Sequence, residues 1–493
     1  MRKTIFRTLA MLMAVLMLTF AFASCKKTEE AGSEETTAAP TEVASGDEST
    51  DKPKKTEAVL PEVNYNGYEF NILSRPVDAC KFDLVVEEPV SSVDEKVWER
   101  EQFIWETFGV DLVMNVSSSE NTNTDTSAMN SILSSACEYD LISTHGRSAW
   151  TYALNNCGYN WYDLKWVDLD ETDWWCQGAV DNWTVNGKVF CMVGDISYVN
   201  VGQANCMYFN KDHLDAVDIA YPYDDVIAGT WTLEKMKNIA LEAYAGMTKS
   251  GTGSIENDSF AYTSGHWRGA MQLYYSTGNL YVTGNSTETL KLTGYKESIQ
   301  DAYTAYIDNF LAKAECYRGA TKAAAESYGT MQKAFINDRV VFYDDLIEES
   351  VQFNQEVNFG IVPFPKANAD VEGYPTLVNA YSNVFVVPLN IADAERTSVV
   401  LEAMAFYGFK NIVPEYYDEV LSYKTSPDAQ ATQVLQLIRK YFVYDLGYYN
   451  TLGGLGDIGM MCYDDGTAAG MQGYYTALET EARNKLTELD KLK

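Results

Sequence analysis

Residues 340–344 (VVFYD) and 360–365 (GIVPFP) decide the fold that this 493-residue sequence predicts. Both are short apolar runs bounded by turn residues, and such runs favour strands that are covered on both faces. The first run ends in Tyr343 and Asp344, and strand ends in open α/β sheets usually border a ligand crevice. We therefore expect a cleft between two α/β lobes here. The two prolines limit how residues 360–365 can bend.

Strands and helices alternate upstream of this region. Strands are predicted at residues 68–74, 110–116 and 139–143, with an amphipathic helix between the first two. A capping box that begins at Ser92 is predicted to open that helix, and Gly109 to end it. This order implies a parallel sheet with helices on its faces.

Further elements are predicted downstream. Thr232 is expected to cap a helix, and another strand is expected at residues 383–387. Helices are predicted to dominate residues 296–325 and the chain from residue 397 onward.

The N-terminal 25 residues have the pattern of a secretory signal. Three basic residues lie among the first seven, and residues 8–22 are apolar but too short to span a bilayer comfortably. Residues 22–25 (FASC) resemble the bacterial lipobox, although phenylalanine stands where leucine is usual. The resemblance implies that Cys25 is lipidated, with palmitate among its acyl groups; ordinary signal cleavage would instead leave Cys25 free. Residues 26–59 are mostly polar and are predicted to be a disordered tether.

Composition limits the partners and the architecture. The formal net charge of −33 disfavours nucleic acid and anionic lipid as partners. The chain beyond residue 60 is longer than one hydrophobic core usually supports, so two lobes are expected. The aromatic share of 13% is high, and these side chains become important when ligand chemistry is considered.

Cysteine and histidine patterns predict no metal or cofactor. Eight cysteines follow Cys25, without a Cys-x-x-Cys motif, and their pairing is left open: Cys80, Cys137, Cys157, Cys176, Cys191, Cys206, Cys316 and Cys462. The three histidines, His145, His213 and His266, lack metal-ligand spacing and are interpreted as polar surface or cleft residues. A calcium ion at the acidic residues 163–173 is neither indicated by an EF-hand pattern nor excluded.

The search for catalytic motifs favours a protein that is not an enzyme. No Gly-x-Ser-x-Gly elbow and no P-loop is present, and residues 454–459 (GLGDIG) match a dinucleotide-binding pattern in an unsuitable context. A glycosidase pair of carboxylates remains an alternative, with Asp140, Asp195 and Asp344 as its possible members. The simpler interpretation is that these acids are solvated or hydrogen-bonded.

Polar and aromatic residues recur where predicted strands end. Such residues suit carbohydrate, since Trp and Tyr stack on sugar rings while Asp, Asn and Arg bind hydroxyl groups. The candidate ligand-binding residues are Ser74, Arg75, His145, Arg147, Asp195, Tyr198, His266, Trp267, Arg268, Tyr343, Asp344 and Tyr381.

Short motifs spread over the chain resemble a known family. They are residues 139–142 (YDLI), 173–175 (DWW), 186–189 (NGKV), 194–197 (GDIS), 209–211 (FNK), 221–224 (YPYD), 229–233 (GTWTL), 331–335 (MQKAF) and 359–366 (FGIVPFPK). In this order they resemble the extracellular solute-binding proteins of family 1, the lipoprotein receptors of carbohydrate-type ABC importers. The resemblance implies a periplasmic-binding-protein-like α/β fold, in which two lobes close around a solute.

The resemblance also implies boundaries and partners. Lobe one would contain residues 60–204 and 359–387, and lobe two residues 205–358 and 388–493. The protein would act as a monomer without a cofactor, anchored to the outer face of a bacterial cell membrane, and would deliver its solute to an ABC permease. Trp267 is the expected stacking platform, and Asp344 and Arg75 the expected hydroxyl partners. The alternatives are an exported glycan hydrolase and a surface glycan-capture lipoprotein without a transporter.

Overall fold

Two separate β-sheets organise the computed structural model, which describes residues 55–76, 83–117, 126–136, 138–170, 172–284, 288–319, 321–322, 328–353, 356–422 and 430–492. The strands are β1 Tyr68–Ser74, β2 Val110–Val116, β3 Leu141–His145, β4 Asn205–Asn210, β5 Phe260–Ser264, β6 Val282–Thr283, β7 Lys291–Leu292, β8 Cys316–Arg318, β9 Val340–Leu346, β10 Phe359–Val362, β11 Thr376–Leu377, β12 Asn383–Val386 and β13 Phe442–Val443. The first sheet has the order β12-β3-β1-β2 and the second β10-β4-β9-β5-β8. Each contains three parallel strands, extended by antiparallel pairing to β12 in the first and to β4 in the second.

Helices connect the strands and cover the sheets. They are α1 Ser92–Phe108, α2 Thr126–Leu133, α3 Gly146–Leu154, α4 Gln177–Trp183, α5 Val199–Gly202, α6 Lys211–Asp215, α7 Tyr223–Ile227, α8 Leu233–Ala245, α9 Gly269–Ser276, α10 Glu297–Tyr303, α11 Tyr328–Ile336, α12 Ala394–Tyr407, α13 Val413–Ser422, α14 Ala431–Lys440, α15 Leu446–Tyr449, α16 Ile458–Asp465 and α17 Met471–Leu489. Helix α1 packs on β2, whereas α8 packs on β5 and β9. The predicted strand at residues 68–74 and the helix capped by Thr232 are confirmed.

Helix α1 illustrates how the sequence pattern produces packing. Its apolar residues Val93, Val97, Ile104 and Phe108 recur at helical spacing and are buried. Burial of each such side chain contributes about 1.5–3 kcal/mol relative to exposure. Gly109 ends the helix in the left-handed region at φ 63°, where glycine avoids the steric cost of a Cβ atom.

The start of α1 corrects one prediction. Ser91, not Ser92, is the N-cap: its hydroxyl accepts a hydrogen bond from the backbone N–H of Asp94 (3.1 Å). The Asp94 carboxylate in turn accepts from the backbone N–H of Ser91 (3.2 Å). Two adjacent serines precede acidic residues at this site, so the sequence pattern fits either register, and the helix uses the earlier one.

Replacing Ser91 by alanine is expected to lower the free energy of unfolding by about 1 kcal/mol, because the first turn loses its side-chain acceptor. Urea denaturation measures this change, provided that the dependence of the free energy of unfolding on urea concentration (the m-value) is the same in both proteins. Ser92→Ala is the matched control, since Ser92 is exposed and should shift stability by less than about 0.5 kcal/mol. Equal effects of the two substitutions would contradict the assigned cap.

Strand β10 lies in the second sheet and not in lobe one, where the predicted boundaries placed it. It pairs antiparallel with β4 and is buried along its whole length. Gly360 lies against the ring of Phe209, where an added Cβ atom would come within 2.0 Å of that ring. The Trp231 indole N–H donates to the Pro363 carbonyl (2.9 Å), which also fixes the proline segment on this side. The chain returns to the first sheet only at β12.

The C-terminal helices also depart from the predicted division, which placed all of residues 388–493 in lobe two. Helices α12 and α13 pack on α1, which covers the first sheet, whereas α14 packs on β10 and α7. The apolar residues of α12 are buried over most of its length, so this helix requires neighbours on several sides.

Three stretches of chain lie side by side where the two sheets adjoin. Ala204, just before β4, pairs with Val378, just after β11. The side-chain amide of Asn205 donates to the Leu377 carbonyl (2.8 Å), and β11 pairs with β13. These stretches connect elements of the two sheets.

Several expectations concern residues outside the described part of the chain. Cys25, the signal sequence, Cys80 and Cys137 lie there, and of the predicted tether only residues 55–59 are described. Within those five residues Lys55 forms an ion pair with Asp168, so the chain already contacts the folded part before residue 60. The six described cysteines beyond Cys137 are not in disulfides, and none of the described helices has the length and apolarity needed to cross a membrane.

Candidate ligand-binding cleft

A cavity of 580 Å³ lies where the ends of strands from both sheets approach each other. Its lining residues are His145, Arg147, Gln203, Trp267, Arg268, Tyr328, Leu346, Glu348, Asn379, Ala380, Tyr381 and Tyr448. They lie at or just after the ends of β3 in the first sheet and of β5 and β9 in the second, in the stretches before β4 and after β11, or on helices α11 and α15. Five of the twelve predicted ligand-binding residues meet in this cleft: His145, Arg147, Trp267, Arg268 and Tyr381.

The first sheet contributes His145 and Arg147. His145 is the last residue of β3, and its Nδ1 accepts a hydrogen bond from the backbone N–H of Arg147 (3.0 Å), which caps α3. Burial, reinforced by the positive charges of Arg75 and Arg147, lowers the pKa of His145 to about 3. The imidazole is therefore neutral at pH 7, and with Nδ1 accepting, its proton lies on Nε2.

Tyr381 provides an aromatic surface beside His145. Its side chain is 39% exposed, and its ring lies 5.3 Å from the His145 ring, edge to face. Arg75 donates to the Tyr381 carbonyl (2.6 Å) and to the Asn383 side-chain oxygen (2.9 Å). Its guanidinium also lies 5.6 Å from the centre of the Tyr381 ring. Arg75 is buried, and these contacts hold the Tyr381 segment in place. The sequence had instead predicted that Arg75 binds hydroxyl groups of the ligand.

The second sheet contributes Trp267 and Arg268, which follow β5. The backbone N–H of Trp267 donates to the hydroxyl of Tyr328 (2.9 Å), so Tyr328 helps to fix the main chain at this residue. Arg268 forms an ion pair with the buried Asp345 and lies over the ring of Tyr328 at 5.1 Å. Both tryptophan and arginine are therefore held in place by neighbours before any ligand arrives.

Tyr343 and Asp344 do not line the cleft. Both are buried within β9; the Tyr343 hydroxyl donates to Asp345. Asp344 accepts hydrogen bonds from the Tyr262 hydroxyl (2.6 Å) and the backbone N–H of Gly269 (2.5 Å). Burial raises the pKa of Asp344 to about 7. These contacts place Asp344 in a polar network beneath α9, outside the described lining of the cleft in which it was predicted to bind hydroxyl groups.

Asp195 and Tyr198 lie elsewhere. Asp195 lines a second cavity, of 560 Å³, where its carboxylate accepts from Arg439 (2.5 Å). The ring of Tyr198 packs against that of Tyr416 at 5.0 Å. Gly194 lies so close to the Trp174 carbonyl that a Cβ atom added to it would be 2.6 Å from the carbonyl oxygen. Residues 194–198 therefore do not reach the described cleft: Asp195 lines a separate cavity, and Tyr198 packs against an aromatic neighbour.

The remaining two predicted residues lie behind the cleft. Ser74 is buried at the end of β1, where its carbonyl accepts from the backbone N–H of Ser117 (2.7 Å). His266 is buried beside Trp267, and its Nδ1 lies 2.8 Å from the Asp464 carboxylate. Neither residue lines the described cavity, although His266 adjoins Trp267, which does.

The three acids of the hydrolase alternative are not brought together. Each acid has a different partner. Asp140 accepts from the Tyr68 hydroxyl (2.9 Å), Asp195 accepts from Arg439, and Asp344 accepts from the Tyr262 hydroxyl. None of these three acids lines the described cleft. They therefore do not form the catalytic pair for which they were considered.

Sequence reasoning missed several cleft residues, including Gln203, Tyr328, Glu348, Asn379 and Tyr448. Asn379 adjoins the Tyr381 segment, and its side-chain oxygen accepts from the backbone N–H of Tyr381 (2.9 Å), so proximity in sequence was a usable signal. The chain has 34 tyrosines, and no local sequence pattern distinguishes Tyr328 and Tyr448 from the others.

An ion pair joins the two sides of the cleft. Arg147, on α3 beside the first sheet, contacts Asp457, with Nη2 to Oδ1 at 2.5 Å and Nη1 to Oδ2 at 3.4 Å. Asp457 precedes α16, which packs on α9 of the second sheet. The guanidinium also lies 5.4 Å from the Trp267 ring and 4.7 Å from the Tyr448 ring. The cleft thus has a direct contact between its walls.

Comparison with known proteins supports the fold. No protein-family model and no curated protein sequence matches the chain. Among solved structures, Mycobacterium tuberculosis UspC matches with a TM-score of 0.55 and 11% identity over 84% of this chain and 100% of that one. The galacto-N-biose-/lacto-N-biose I-binding protein of the ABC transporter from Bifidobacterium longum, in complex with lacto-N-biose, has a TM-score of 0.53 and 10% identity, covering 86% and 98%.

A third structure agrees. The maltose/maltodextrin-binding domain MalE from Bdellovibrio bacteriovorus, bound to maltotriose, has a TM-score of 0.51 and 10% identity, covering 85% of this chain and all of that one. The predicted fold is confirmed: the chain has the two-lobe α/β fold of periplasmic-binding-protein-like solute-binding proteins. Two of the three matches are, by their names, saccharide-binding proteins, in line with the family resemblance drawn from the short motifs.

Proposed function

We propose that this protein is the substrate-binding lipoprotein of an ABC importer, which captures a sugar or oligosaccharide in the interlobe cleft. The observation that carries the proposal is the convergence of polar and aromatic residues from both sheets on one cavity of 580 Å³. That volume lies within the range of pockets that enclose small ligands. The protein would bind its solute and release it unchanged, without catalysis.

The residues of the cleft suit carbohydrate chemistry. Tyr381 from one side and Trp267 from the other offer ring faces for the apolar faces of sugars. The remaining N–H groups of Arg147, the neutral His145 and the amide of Asn379 can donate to hydroxyl oxygens, and Glu348 can accept from hydroxyl groups. Flat apolar surfaces together with dispersed hydrogen-bond partners are the combination that a sugar requires.

The two lobes would close around the bound solute. A solute that contacts both walls gains more interactions when the lobes are together, so its binding favours the closed state. We place lobe one around the first sheet with α1, α12 and α13, and lobe two around the second sheet with α8 and α9. The closed form would then dock, as a monomer, on the transmembrane subunits of the permease.

The site of action would be the outer face of a bacterial membrane. The signal pattern and Cys25 support export and lipid anchoring, and the mostly polar sequence from residue 26 to the first described residue supports a tether. A globomycin-sensitive shift in electrophoretic mobility, lost in Cys25→Ala, tests the anchor independently of the ligand.

A thermal-shift screen with mono- and oligosaccharides tests the binding proposal. A cognate sugar at 100 times its dissociation constant should stabilise the protein by ~2.7 kcal/mol. Peptides and polyamines serve as comparison ligands. Stabilisation by those compounds and by no sugar would refute the carbohydrate proposal, and conversion of the sugar, followed by chromatography, would favour the hydrolase alternative.

A further inference from the structure

We propose that the ion pair between Arg147 and Asp457 makes the cleft select uncharged saccharides over those that carry a carboxylate. Asp457 would then be a specificity-determining residue that acts by neutralising Arg147. This inference rests on the proposed function, since it concerns which saccharides the same cleft accepts.

The geometry of the pair supports this role. Both terminal nitrogens of Arg147 face the Asp457 carboxylate, at 2.5 Å and 3.4 Å. The two side chains are 13% and 15% exposed, so solvent screens their charges only partly. A planar guanidinium is suited to bidentate binding of one carboxylate, and here a carboxylate of the protein already occupies that position.

The other cation of the described lining is neutralised in the same way. Arg268 pairs with Asp345, whose side chain is 4% exposed. His145 adds no positive charge, because its imidazole is neutral at pH 7. Glu348 adds a carboxylate to the lining, with Oε1 accepting from the Gln203 amide (2.7 Å). The lining thus has two cations that are each paired with a protein carboxylate, together with a further acid.

This charge arrangement discriminates between ligands. Guanidinium has five N–H donors, so a sugar hydroxyl can accept from those that Asp457 leaves unused without disrupting the ion pair. A uronate would have to displace Asp457 or bind near it and Glu348, and in a partly buried site like charges repel strongly. An uncharged saccharide therefore fits the cleft better than its uronic-acid counterpart.

The test uses sugar pairs that differ at C6, where the neutral member has a hydroxymethyl group and the charged member a carboxylate. Glucose and glucuronate, galactose and galacturonate, and 1,4-linked galactotriose and trigalacturonate are titrated by calorimetry into the full chain. The wild type should bind the neutral members at least tenfold more tightly. Asp457→Asn keeps the side-chain size and frees the charge of Arg147, so it should reduce that preference at least tenfold, mainly through tighter uronate binding.

Two further variants are controls for indirect effects of the Asp457→Asn substitution. Asp457→Glu retains the charge and should retain the wild-type preference. Asp465→Asn, eight residues further along, removes a carboxylate that contacts the Tyr474 hydroxyl outside the described lining, and should change neither affinity. Melting curves establish that each variant is folded.

The outcomes separate the two proposals. If the wild type binds neutral sugars but Asp457→Asn leaves the preference unchanged, the charge-selection inference is overturned and the proposed function stands. Equal or tighter uronate binding by the wild type overturns the inference in the same way. If neither protein binds any member of the panel, while peptides or polyamines bind, both proposals fail.

Discussion

Replacing Trp267 by alanine is expected to weaken saccharide binding roughly 100-fold, a loss of about 3 kcal/mol. Trp267 lines the cleft. Its backbone N–H donates to the hydroxyl of Tyr328 (2.9 Å), and the guanidinium of Arg147 lies 5.4 Å from its ring. A large, rigid side chain that is held in place before binding loses little entropy when the ligand arrives. Calorimetry with the best sugar of the thermal-shift screen measures the change.

Trp98→Ala is the matched control for this substitution. Trp98 lies on α1, is 37% exposed and does not line the described cleft. It removes the same side chain without touching the proposed site, so the dissociation constant should stay the same. A Trp267→Ala protein that binds within threefold of the wild type would show that the ligand stacks elsewhere, with Tyr381 as the next candidate.

The architecture was largely readable from local patterns. Alternating apolar residues located β1 and β2, and the apolar spacing of α1 identified its buried face. Local patterns could not assign β10 to a sheet, because a short apolar run is equally suitable for either one. That assignment depends on pairing with β4, whose residues lie about 150 positions earlier in the chain.

The cleft was predictable only in part, for a related reason. The rule that polar residues at strand ends meet at one edge located His145 and Trp267. It failed at β9 because that strand continues to Leu346, two residues beyond the Asp344 at which the sequence suggested an end. The edge of the sheet is therefore reached by Leu346 and Glu348 instead.

Distant partners account for the rest of the site. Tyr448 and Asp457 come from the C-terminal region, where short helices and irregular turns give no clear period. Leu452 has a positive φ of 43°, a conformation that branched or bulky residues rarely adopt and that no sequence rule would assign to leucine. Residues of such a region enter the site only through the packing that surrounds them.

Glu402 is expected to make the stability of the protein depend on pH. This residue of α12 is 1% exposed, and its carboxylate accepts from the indole N–H groups of Trp174 (2.8 Å) and Trp175 (2.7 Å). Burial raises the pKa of Glu402 to about 7, although the hydrogen bonds from the tryptophans oppose this shift. The residue thus connects α12 to the tryptophan pair beneath it, and its protonation differs between the folded and unfolded states.

The sign of the pH effect follows from proton binding. A carboxyl whose pKa is raised on folding binds its proton more tightly in the native state, so its contribution to stability is lost as pH rises from about 4.5 to about 7. At 1.36 kcal/mol for each pKa unit, this loss amounts to about 3 kcal/mol for Glu402. Glu402→Gln cannot titrate, so its stability relative to the wild type should rise by about 3 kcal/mol across that range.

Comparing the variant with the wild type isolates Glu402, since other buried acids such as Asp344 titrate equally in both proteins and cancel. Urea denaturation at pH 4.5, 6 and 7.5 provides the measurement. Glu395→Gln, on the same helix, is the matched control: a hydrogen bond from Lys165 lowers the pKa of Glu395, so its difference from the wild type should not grow over this range. A difference between Glu402→Gln and wild type that stays constant with pH would mean that Glu402 is already ionised in the folded protein at pH 4.5. The two tryptophans would then stabilise its charge more strongly than burial disfavours it.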